Sequence, residues 1–252
     1  MPLERDRSTT LGLPRGRVLV VGAGGLGCPA ALSLAGAGVG ALGLIDCDCV
    51  DASNLQRQIL YRTADLGRRK AEAAAERIAA CYPKVSVQFF DERLSADNLA
   101  GVFSHFDFVI DGTDQTTAKY LVNDGAVLLG IPFSHAGVLG FQGQTMTILP
   151  GRSACLRCLF PSPPPADDVP TCQDAGVIGA VCGTIGAVQA TEAIKYLCGL
   201  GGLLTDRLLT YDALTTRWRT IAWSRSPHCP LCGDRPTIQR LAAIETAGDM
   251  CR

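Results

Sequence analysis

One segment near the start of the chain, RVLVVGAGGLG, constrains the fold more than any other. Residues Arg17 to Gly22 begin as a short apolar, β-branched run, which predicts a strand buried on both faces. Glycines then allow the chain to turn sharply, and the small apolar residues from Leu26 to Ala37 are compatible with a helix. A strand that passes through a glycine-rich turn into a helix predicts the opening unit of a parallel α/β sheet.

Further segments alternate between strand and helix patterns. The predicted strands are Ala41–Asp46, Val85–Phe89, Asp107–Asp111 and Pro132–Ala136, and the predicted helices are Arg68–Cys81, Ser95–Phe103 and Gln115–Leu129. This alternation predicts a Rossmann-like α/β fold with a doubly wound, mainly parallel sheet. Right-handed crossovers bring the strand carboxyl ends to one edge, so we expect Asp46, Asp111 and Asp114 to gather there.

The pattern changes after Gly140. Residues Gln142–Leu149 alternate as a strand of an antiparallel pair does, and Pro161–Pro170 is too proline-rich for a helix or a central strand. The remaining predicted elements are one long apolar helix and two strands, Ile178–Leu197, Arg207–Tyr211 and Trp218–Trp223. We therefore predict an antiparallel C-terminal extension of the parallel sheet.

Composition argues against two classes of partner. The 252 residues carry a formal net charge of −1 and 47% are hydrophobic, so we expect a packed core and no concentrated positive surface for nucleic acid. No apolar run reaches the roughly 18 residues of a membrane span, and Met1 to Arg17 lacks the apolar stretch of a secretory signal. The chain is expected to be cytoplasmic, where its 12 cysteines stay reduced.

The glycine-rich turn is the first candidate site. Glycines let the backbone approach phosphate closely, and the helix that follows directs N–H groups and the positive end of its dipole at an anion. Asp46, at the end of the next predicted strand, is placed to accept hydrogen bonds from ribose hydroxyls. These features predict a nucleotide site, and they suit a nicotinamide-dependent dehydrogenase equally well.

The residues after Asp46 separate these two possibilities. The segment DCDCVDASNLQRQ contains Arg57, and Lys70 lies on the predicted helix beyond it. A triphosphate carries more charge than a buried pyrophosphate and has to be bound by cations, which these two residues supply. The alternative is a polar loop with a surface arginine and lysine.

Two carboxylates, Asp111 and Asp114, lie at the end of the strand DFVID. Carboxylates at that edge are ligands that Mg²⁺ prefers, together with water and phosphate oxygens. The alternative is that one of them caps the helix that begins near Gln115.

Two CxxC pairs, separated by a long stretch of chain, predict a metal centre. The two pairs are Cys155 with Cys158 and Cys229 with Cys232. We expect each pair to chelate a metal from one tight turn, and the two pairs together to complete a tetrahedral four-thiolate zinc site with a structural role. Separate redox dithiols are the alternative. Cys172, after the proline-rich loop, is a candidate thiolate for attack on an activated acyl group.

In this order and combination, the motifs resemble those of the MoeB/ThiF/HesA family, the bacterial relatives of ubiquitin-activating enzymes. The resemblance runs from about Arg17 to Gly233. It is carried by VVGAGGLGCPAALSLAGAGVG, LIDCDCVDASNLQRQIL, LGRRKAEAA, DFVIDGTDQTTAKYLVND, ACLRCLFPSPPP, PTCQDAGVIGAVCGTIGAVQATEAIK and CPLCGD. Two positions depart from the usual family pattern, with Gln115 in place of asparagine and Lys119 in place of a common arginine.

The resemblance implies a role for each motif. The implied ATP-binding residues are Gly22, Gly24, Gly25, Gly27, Asp46, Asp48, Ser53, Asn54, Arg57, Gln58, Lys70, Asp114 and Gln115. Of these, Arg57, Lys70 and Asp114 are implied to be catalytic, and Asp114 is implied to hold Mg²⁺. Cys172 matches a cysteine that takes part in sulfur transfer, and the two CxxC pairs match the family's structural zinc.

The resemblance also implies a reaction and its partners. The enzyme would be an ATP-dependent adenylyltransferase that acts on the C-terminal Gly-Gly carboxylate of a small ubiquitin-like sulfur-carrier protein, yielding an acyl adenylate and pyrophosphate. A persulfide donor, such as a cysteine desulfurase or a rhodanese, would supply sulfur for a thiocarboxylate, with sulfurtransferase activity as a second expectation. A homodimer is implied. The alternative is a non-catalytic or divergent member that docks a carrier protein or activates another carboxylate.

The expected organisation follows from these assignments. We expect an N-terminal arm (1–16), a nucleotide-binding Rossmann-like part (17–140), a carrier-binding and zinc part of the same fold (141–233) and a tail (234–252).

Overall fold

The structure, a computed structural model, describes residues 13–164, 176–242 and 244. Within these residues, one sheet contains eight strands: β1 (Arg17–Val21), β2 (Ala41–Ile45), β3 (Ser86–Phe90), β4 (Phe108–Asp111), β5 (Phe133–Leu139), β6 (Gln142–Ile148), β7 (Arg207–Asp212) and β8 (Arg217–Ala222). The helices are α1 (Gly27–Ala37), α2 (Lys70–Cys81), α3 (Leu99–Phe103), α4 (Thr116–Leu129), α5 (Leu156–Leu159) and α6 (Gly179–Cys198). None of the described helices is both long and apolar enough to cross a membrane.

The sheet has the order β3-β2-β1-β4-β5-β6-β7-β8. Pairing is parallel from β3 through to β5 and antiparallel from β5 through to β8. The predicted fold class, a mainly parallel Rossmann-like sheet with an antiparallel C-terminal extension, is confirmed. Because β1 is flanked by β2 and β4, the strand order reverses beside β1, and the carboxyl ends of these strands open a crevice suited to a ligand.

Two element boundaries differ from the sequence prediction by three residues or more. The helix predicted over Ser95–Phe103 begins at Leu99, because the backbone N–H of Ser95 donates to the Asn98 side chain at 2.8 Å and forms a turn there. The strand predicted over Pro132–Ala136 continues to Leu139, because β6 pairs with it along its whole length.

Both faces of the sheet are covered, as the apolar runs predict. Val18 and Val20 of β1 belong to a core shared with α1, α2 and α6 on one face. Leu19 and Val21 point to the other face and belong to a second core with α3 and α4. This alternation is the period-2 pattern of a strand, and double coverage is the reason that both sets are apolar.

The described residues beyond Gly233 contact the second core. Ile238, Leu241 and Ile244 pack against it as partly buried side chains. The start of the segment predicted as a tail therefore adds apolar contacts to the same core.

Candidate functional site

The glycine-rich turn between β1 and α1 requires the absence of side chains. Gly22 has a φ of +87°, in the left-handed region that favours glycine, and its N–H donates to the Ile45 carbonyl at 2.8 Å. A Cβ atom on Gly27 would lie only 1.8 Å from the Gly22 carbonyl oxygen. The turn is therefore folded tightly onto the start of α1, and Gly24, Gly25 and Leu26 line the crevice just before that helix.

Asp46 follows β2 and lies beside this turn. Its carboxylate accepts hydrogen bonds from the backbone N–H groups of Ala23 and Asp48, both at 2.8 Å. Burial raises the pKa of Asp46, although Lys70 and the two N–H donors oppose that shift. The side chain is thus fixed by the backbone at the carboxyl end of the sheet.

Lys70 is the first residue of α2 and is buried. Its Nζ lies 2.8 Å from Asp48 Oδ2, and its N–H donates to the Asp48 carbonyl at 2.9 Å. Burial by itself lowers the pKa of Lys70, but the nearby carboxylates of Asp46 and Asp48 outweigh it, and the net pKa is raised. The ammonium group therefore remains charged beside the crevice.

A short 3-10 helix, Ala52–Asn54, leads to Arg57. Arg57 donates to the Ser53 carbonyl at 3.3 Å, and Gln58 donates to Asn54 Oδ1 at 2.5 Å. The second polar atom of the Gln58 side chain, Oε1, is buried with no hydrogen-bond partner among the described residues. An unpartnered acceptor at this position fits a site in which a ligand donor completes the hydrogen bonding.

Asp111 and Asp114 both lie at the carboxyl end of β4, but their surroundings differ. Asp111 is completely buried and bonds inside the protein, because Thr113, Lys119 and His135 surround its carboxylate. Burial alone would raise the pKa of Asp111, but Lys119, His135 and Thr113 outweigh it and lower the pKa to about 2. Asp114 is exposed and lines the crevice.

The alternative role as a helix cap is not found for either aspartate. The residue before the first turn of α4 is Gln115, and its side chain makes no capping hydrogen bond. Gln115 instead accepts a hydrogen bond at 2.7 Å from Arg93, which follows β3. The loop after β3 thus reaches across the carboxyl edge of the sheet to the loop after β4.

One open cleft of about 2440 Å³ brings the predicted residues together. The predicted residues that line it are Gly22, Gly24, Gly25, Asp46, Asp48, Ser53, Asn54, Arg57, Gln58, Lys70, Asp114 and Gln115. Gly27 lies behind the turn and is absent from the lining. This volume exceeds the roughly 300–1,000 Å³ typical of a small-molecule pocket, so the cleft has room for a second ligand beside a nucleotide.

A second arm of the cleft lies along the antiparallel strands. Its lining includes Leu139 of β5, Gln144 of β6, Tyr211 of β7, and Arg217 and Arg219 of β8. This arm combines apolar, polar and cationic groups, which are suited to an extended peptide rather than to phosphate alone.

Sequence reasoning missed Arg93 and Cys182, which also line the cleft. Arg93 follows the carboxyl end of β3, so applying the end-of-strand rule to β3 would have found it. Cys182, on α6, has no such local signal. A Cβ atom on Gly25 would lie 3.0 Å from its sulfur, so packing alone carries it to the glycine-rich turn.

The two CxxC pairs meet in space, as predicted. The sulfur atoms of Cys155, Cys158, Cys229 and Cys232 all lie within 4.8 Å of one another, and the shorter separations run from 3.3 to 3.9 Å. Tetrahedral coordination at a Zn–S distance of about 2.3 Å places sulfurs about 3.8 Å apart, which fits this cluster. The four cysteines therefore form a group that could hold a metal.

Backbone N–H groups surround these sulfurs. Ser226 donates to Cys158 at 3.4 Å and Cys232 donates to Cys229 at 3.5 Å. Such donors stabilise thiolates, as the outer shell of a metal site does. Cys172, the predicted sulfur-transfer residue, lies outside the described residues.

Comparison with known proteins agrees with this geometry. A sequence model of the ThiF family matches residues 7–231. The chain is 43% identical to the sulfur carrier protein adenylyltransferase of Thermus thermophilus, over 92% of this chain and 88% of that protein. It is 44% identical to the SAMP-activating enzyme E1 of Haloferax volcanii, over 86% of this chain and 80% of that protein.

Other relatives are longer or more distant. The chain is 44% identical over 86% of its length to the probable adenylyltransferase/sulfurtransferase MoeZ of Mycobacterium tuberculosis, and the match spans only 57% of that protein. A crystal structure of E. coli MccB with ATP superposes with a TM-score of 0.80 over 90% of this chain and 69% of that one. Its sequence identity is 21%, so this likeness concerns the fold alone.

Proposed function

The chain belongs to the ThiF family, and we propose that it uses ATP to adenylate the C-terminal Gly-Gly carboxylate of a small ubiquitin-like sulfur-carrier protein. The observation that carries this proposal is the meeting of a glycine-rich turn, two cations and a second stretch of lining along β5 to β8 in one cleft. The names of the relatives from Thermus and Haloferax support the same class of substrate.

The two cationic side chains, Arg57 and Lys70, favour a triphosphate over a dinucleotide as the ligand. Lys70 is buried and charged beside Asp46 and Asp48, and Arg57 flanks the glycine-rich turn. Asp48 Oδ2 lies 2.8 Å from the Lys70 ammonium group, so a phosphate oxygen would compete with Asp48 for that group. We assign Arg57 and Lys70 to the triphosphate, Asp46 to the ribose, and Asp48, Ser53, Asn54, Gln58 and Gln115 to the rest of the nucleotide envelope.

The proposed reaction is an in-line displacement at the α-phosphate. A carboxylate oxygen of the carrier forms a bond to phosphorus, the bond to the oxygen bridging the β-phosphate breaks, and pyrophosphate leaves with the electron pair. The positive charges of Arg57 and Lys70 stabilise the charge that builds on the phosphate oxygens. Asp114, exposed in the cleft, is the side chain we assign to Mg²⁺, which when bound neutralises phosphate charge.

The proposal predicts that pyrophosphate exchange into ATP depends on a carrier ending in Gly-Gly. Lys70→Ala and Asp114→Ala should each lower the exchange rate by about 100-fold or more. Lys70→Ala removes a positive charge that stabilises the transition state, and Asp114→Ala removes the carboxylate assigned to Mg²⁺. Lys84→Ala, on the exposed surface away from the cleft, is the matched control and should leave exchange unchanged.

Two outcomes would contradict the assignment. Exchange that persists in both cleft variants would remove Lys70 and Asp114 from the mechanism. ATP binding without exchange, with every Gly-Gly carrier tried, would favour the alternative of a divergent member that docks a carrier or activates another carboxylate.

We assign the four-cysteine cluster to a structural Zn²⁺. Four thiolates leave no coordination position for a substrate, and the cluster is separate from the cleft lining. The zinc would join the short helix α5, where Cys155 and Cys158 lie, to the turn after β8, where Cys229 and Cys232 lie.

The remaining expectations rest on the resemblance. Sulfur transfer through Cys172, with a persulfide from a cysteine desulfurase or a rhodanese, stays a prediction, and Cys172→Ser should slow thiocarboxylate formation while leaving pyrophosphate exchange intact. A homodimer and a cytoplasmic location also stay predictions, for which sedimentation and cell fractionation are the measurements.

A further inference from the structure

We propose that Asp111, Lys119 and His135 form a positioning cluster that holds the turn Gly112–Gln115, and with it Asp114, against the glycine-rich turn. The expected effect of this cluster on catalysis rests on the proposed function. Its expected effect on the turn itself rests on geometry alone. Of the two aspartates considered for Mg²⁺, only Asp114 is assigned to it, and none of the three cluster residues is assigned to ATP.

Asp111 is the centre of the cluster. Its carboxylate is completely buried and accepts hydrogen bonds from the hydroxyl of Thr113 at 2.6 Å and the N–H of Thr113 at 3.1 Å. His135 Nδ1 lies 2.8 Å from the other carboxylate oxygen. A buried carboxylate is retained only with such partners, so the turn and β5 are both tied to the end of β4.

Lys119 closes the cluster from α4. Its ammonium group donates to the Thr113 carbonyl at 2.6 Å and to the Ala136 carbonyl at 2.5 Å, and lies 3.4 Å from Asp111 Oδ2. An ammonium group has three N–H donors, and three acceptors of the protein surround this one. Although Lys119 borders the cleft, its donors are committed to the turn, which indicates action through the turn rather than on the substrate.

The backbone of the turn has little freedom to move alone. The Gly112 N–H donates to the Val21 carbonyl at 2.9 Å, and a Cβ atom on Gly112 would lie 2.9 Å from the Gly22 carbonyl oxygen. The Gln189 amide donates to the Asp111 carbonyl at 2.9 Å from α6. Release of the cluster would therefore disturb both Asp114 and the glycine-rich turn.

The test replaces Lys119 with an uncharged side chain of similar length. In Lys119→Met, we expect the KM for MgATP in carrier-dependent pyrophosphate exchange to rise by about 10- to 100-fold. This is the usual effect of removing a residue that orients a functional side chain without touching the ligand. The backbone amides of 112–115 should exchange hydrogen faster, while those in the middle of α4 keep their rates. Lys119→Arg should restore most of the KM, and Thr113→Val, a milder change, should show the same direction.

Lys195→Met is the matched control. Lys195 is also a half-buried lysine paired with a buried carboxylate, Glu192, and it lies away from the cleft. It should lower thermal stability without changing the KM for MgATP or hydrogen exchange in 112–115. The proposal is overturned if Lys119→Met alters only thermal stability, as the control does. It is also overturned if the backbone amides of 112–115 keep the wild-type rate of hydrogen exchange.

The structural readout separates this proposal from the proposed function. If the wild-type protein neither binds MgATP nor catalyses exchange, the proposed function fails. Faster hydrogen exchange of the 112–115 amides in Lys119→Met and Thr113→Val would still support the positioning cluster. An unchanged rate of amide hydrogen exchange would overturn it.

Discussion

At the scale of single residues, the glycine-rich turn depends on the absence of side chains. Gly27 packs so closely under Gly22 that even a methyl group would overlap the backbone carbonyl. The nearest clash is with the main chain of Gly22, so a side-chain rotation cannot relieve it. Position 27 therefore requires glycine because a side chain would clash with the backbone. This requirement holds whether or not a phosphate approaches the turn.

We expect Gly27→Ala to lower the free energy of unfolding by at least about 2 kcal/mol, because the turn must separate from α1 to admit the Cβ atom. Gly101→Ala is the matched control, since a Cβ atom there has no neighbour within 4 Å and the residue lies in α3. It should be neutral or stabilising by up to about 1 kcal/mol. Urea unfolding of both variants checks the prediction, and equal effects would contradict it.

At the scale of elements, α4 connects the carboxyl edge of the sheet to the cysteine cluster. Near its start, Lys119 contacts the DGTDQ turn, and later Asp124 pairs with Arg157 through two hydrogen bonds of 2.7 Å. Arg157 lies between the first two cysteines, stacks at 4.8 Å over Tyr120 and donates to the Pro161 carbonyl. One helix therefore holds both the turn of Asp114 and the first CxxC pair.

Replacing Arg157 with methionine should destabilise the protein by about 3–5 kcal/mol, because the buried Asp124 carboxylate loses its ion-pair partner. Arg17→Met is the control. Arg17 pairs with Asp107 at 2.6 Å on the surface, where both side chains are more than a third exposed, so its loss should cost less than about 1 kcal/mol. Urea unfolding distinguishes the two, and a small effect at Arg157 would show that Asp124 is satisfied in another way.

At the scale of the whole molecule, the cysteine cluster joins segments that are distant in sequence. Its two pairs flank the stretch of chain that contains α6 and the last two strands. A metal bound at this point would cross-link the C-terminal segment to the sheet. Its loss should therefore lower the stability of the whole fold more than it disturbs the glycine-rich turn.

Removal of metal by a chelator under reducing conditions should expose four additional thiols to a thiol reagent and lower the Tm. A loss of about 3 kcal/mol corresponds to roughly 6–12 °C in a chain of this size. Cys198→Ser, outside the cluster, is the control and should retain wild-type metal content. Reduced protein that contains no metal, with a Tm that the chelator leaves unchanged, would contradict a structural zinc.

Most of the parallel sheet could be predicted because its signals are local. Apolar β-branched runs, the glycine-rich turn and the alanine-rich α2 each reveal themselves within a few residues, since backbone preference and period-2 or helical burial act over that range. The meeting of the CxxC pairs was also predictable, because four thiolates of matched spacing have one common metal geometry. The edge that holds Asp46 and Asp114 followed from parallel topology.

Tertiary structure alone decided the rest. Asp111 and Asp114 have the same chemistry and are close in sequence, yet one lies inside the protein and the other lines the cleft. Lys119 and His135 create that difference, and they reach Asp111 from α4 and β5. Cys182 reaches the glycine-rich turn only because α6 packs on α1. A sequence records what each residue prefers, but which of two equal carboxylates is buried depends on contacts between distant segments, and these exist only once the chain has folded.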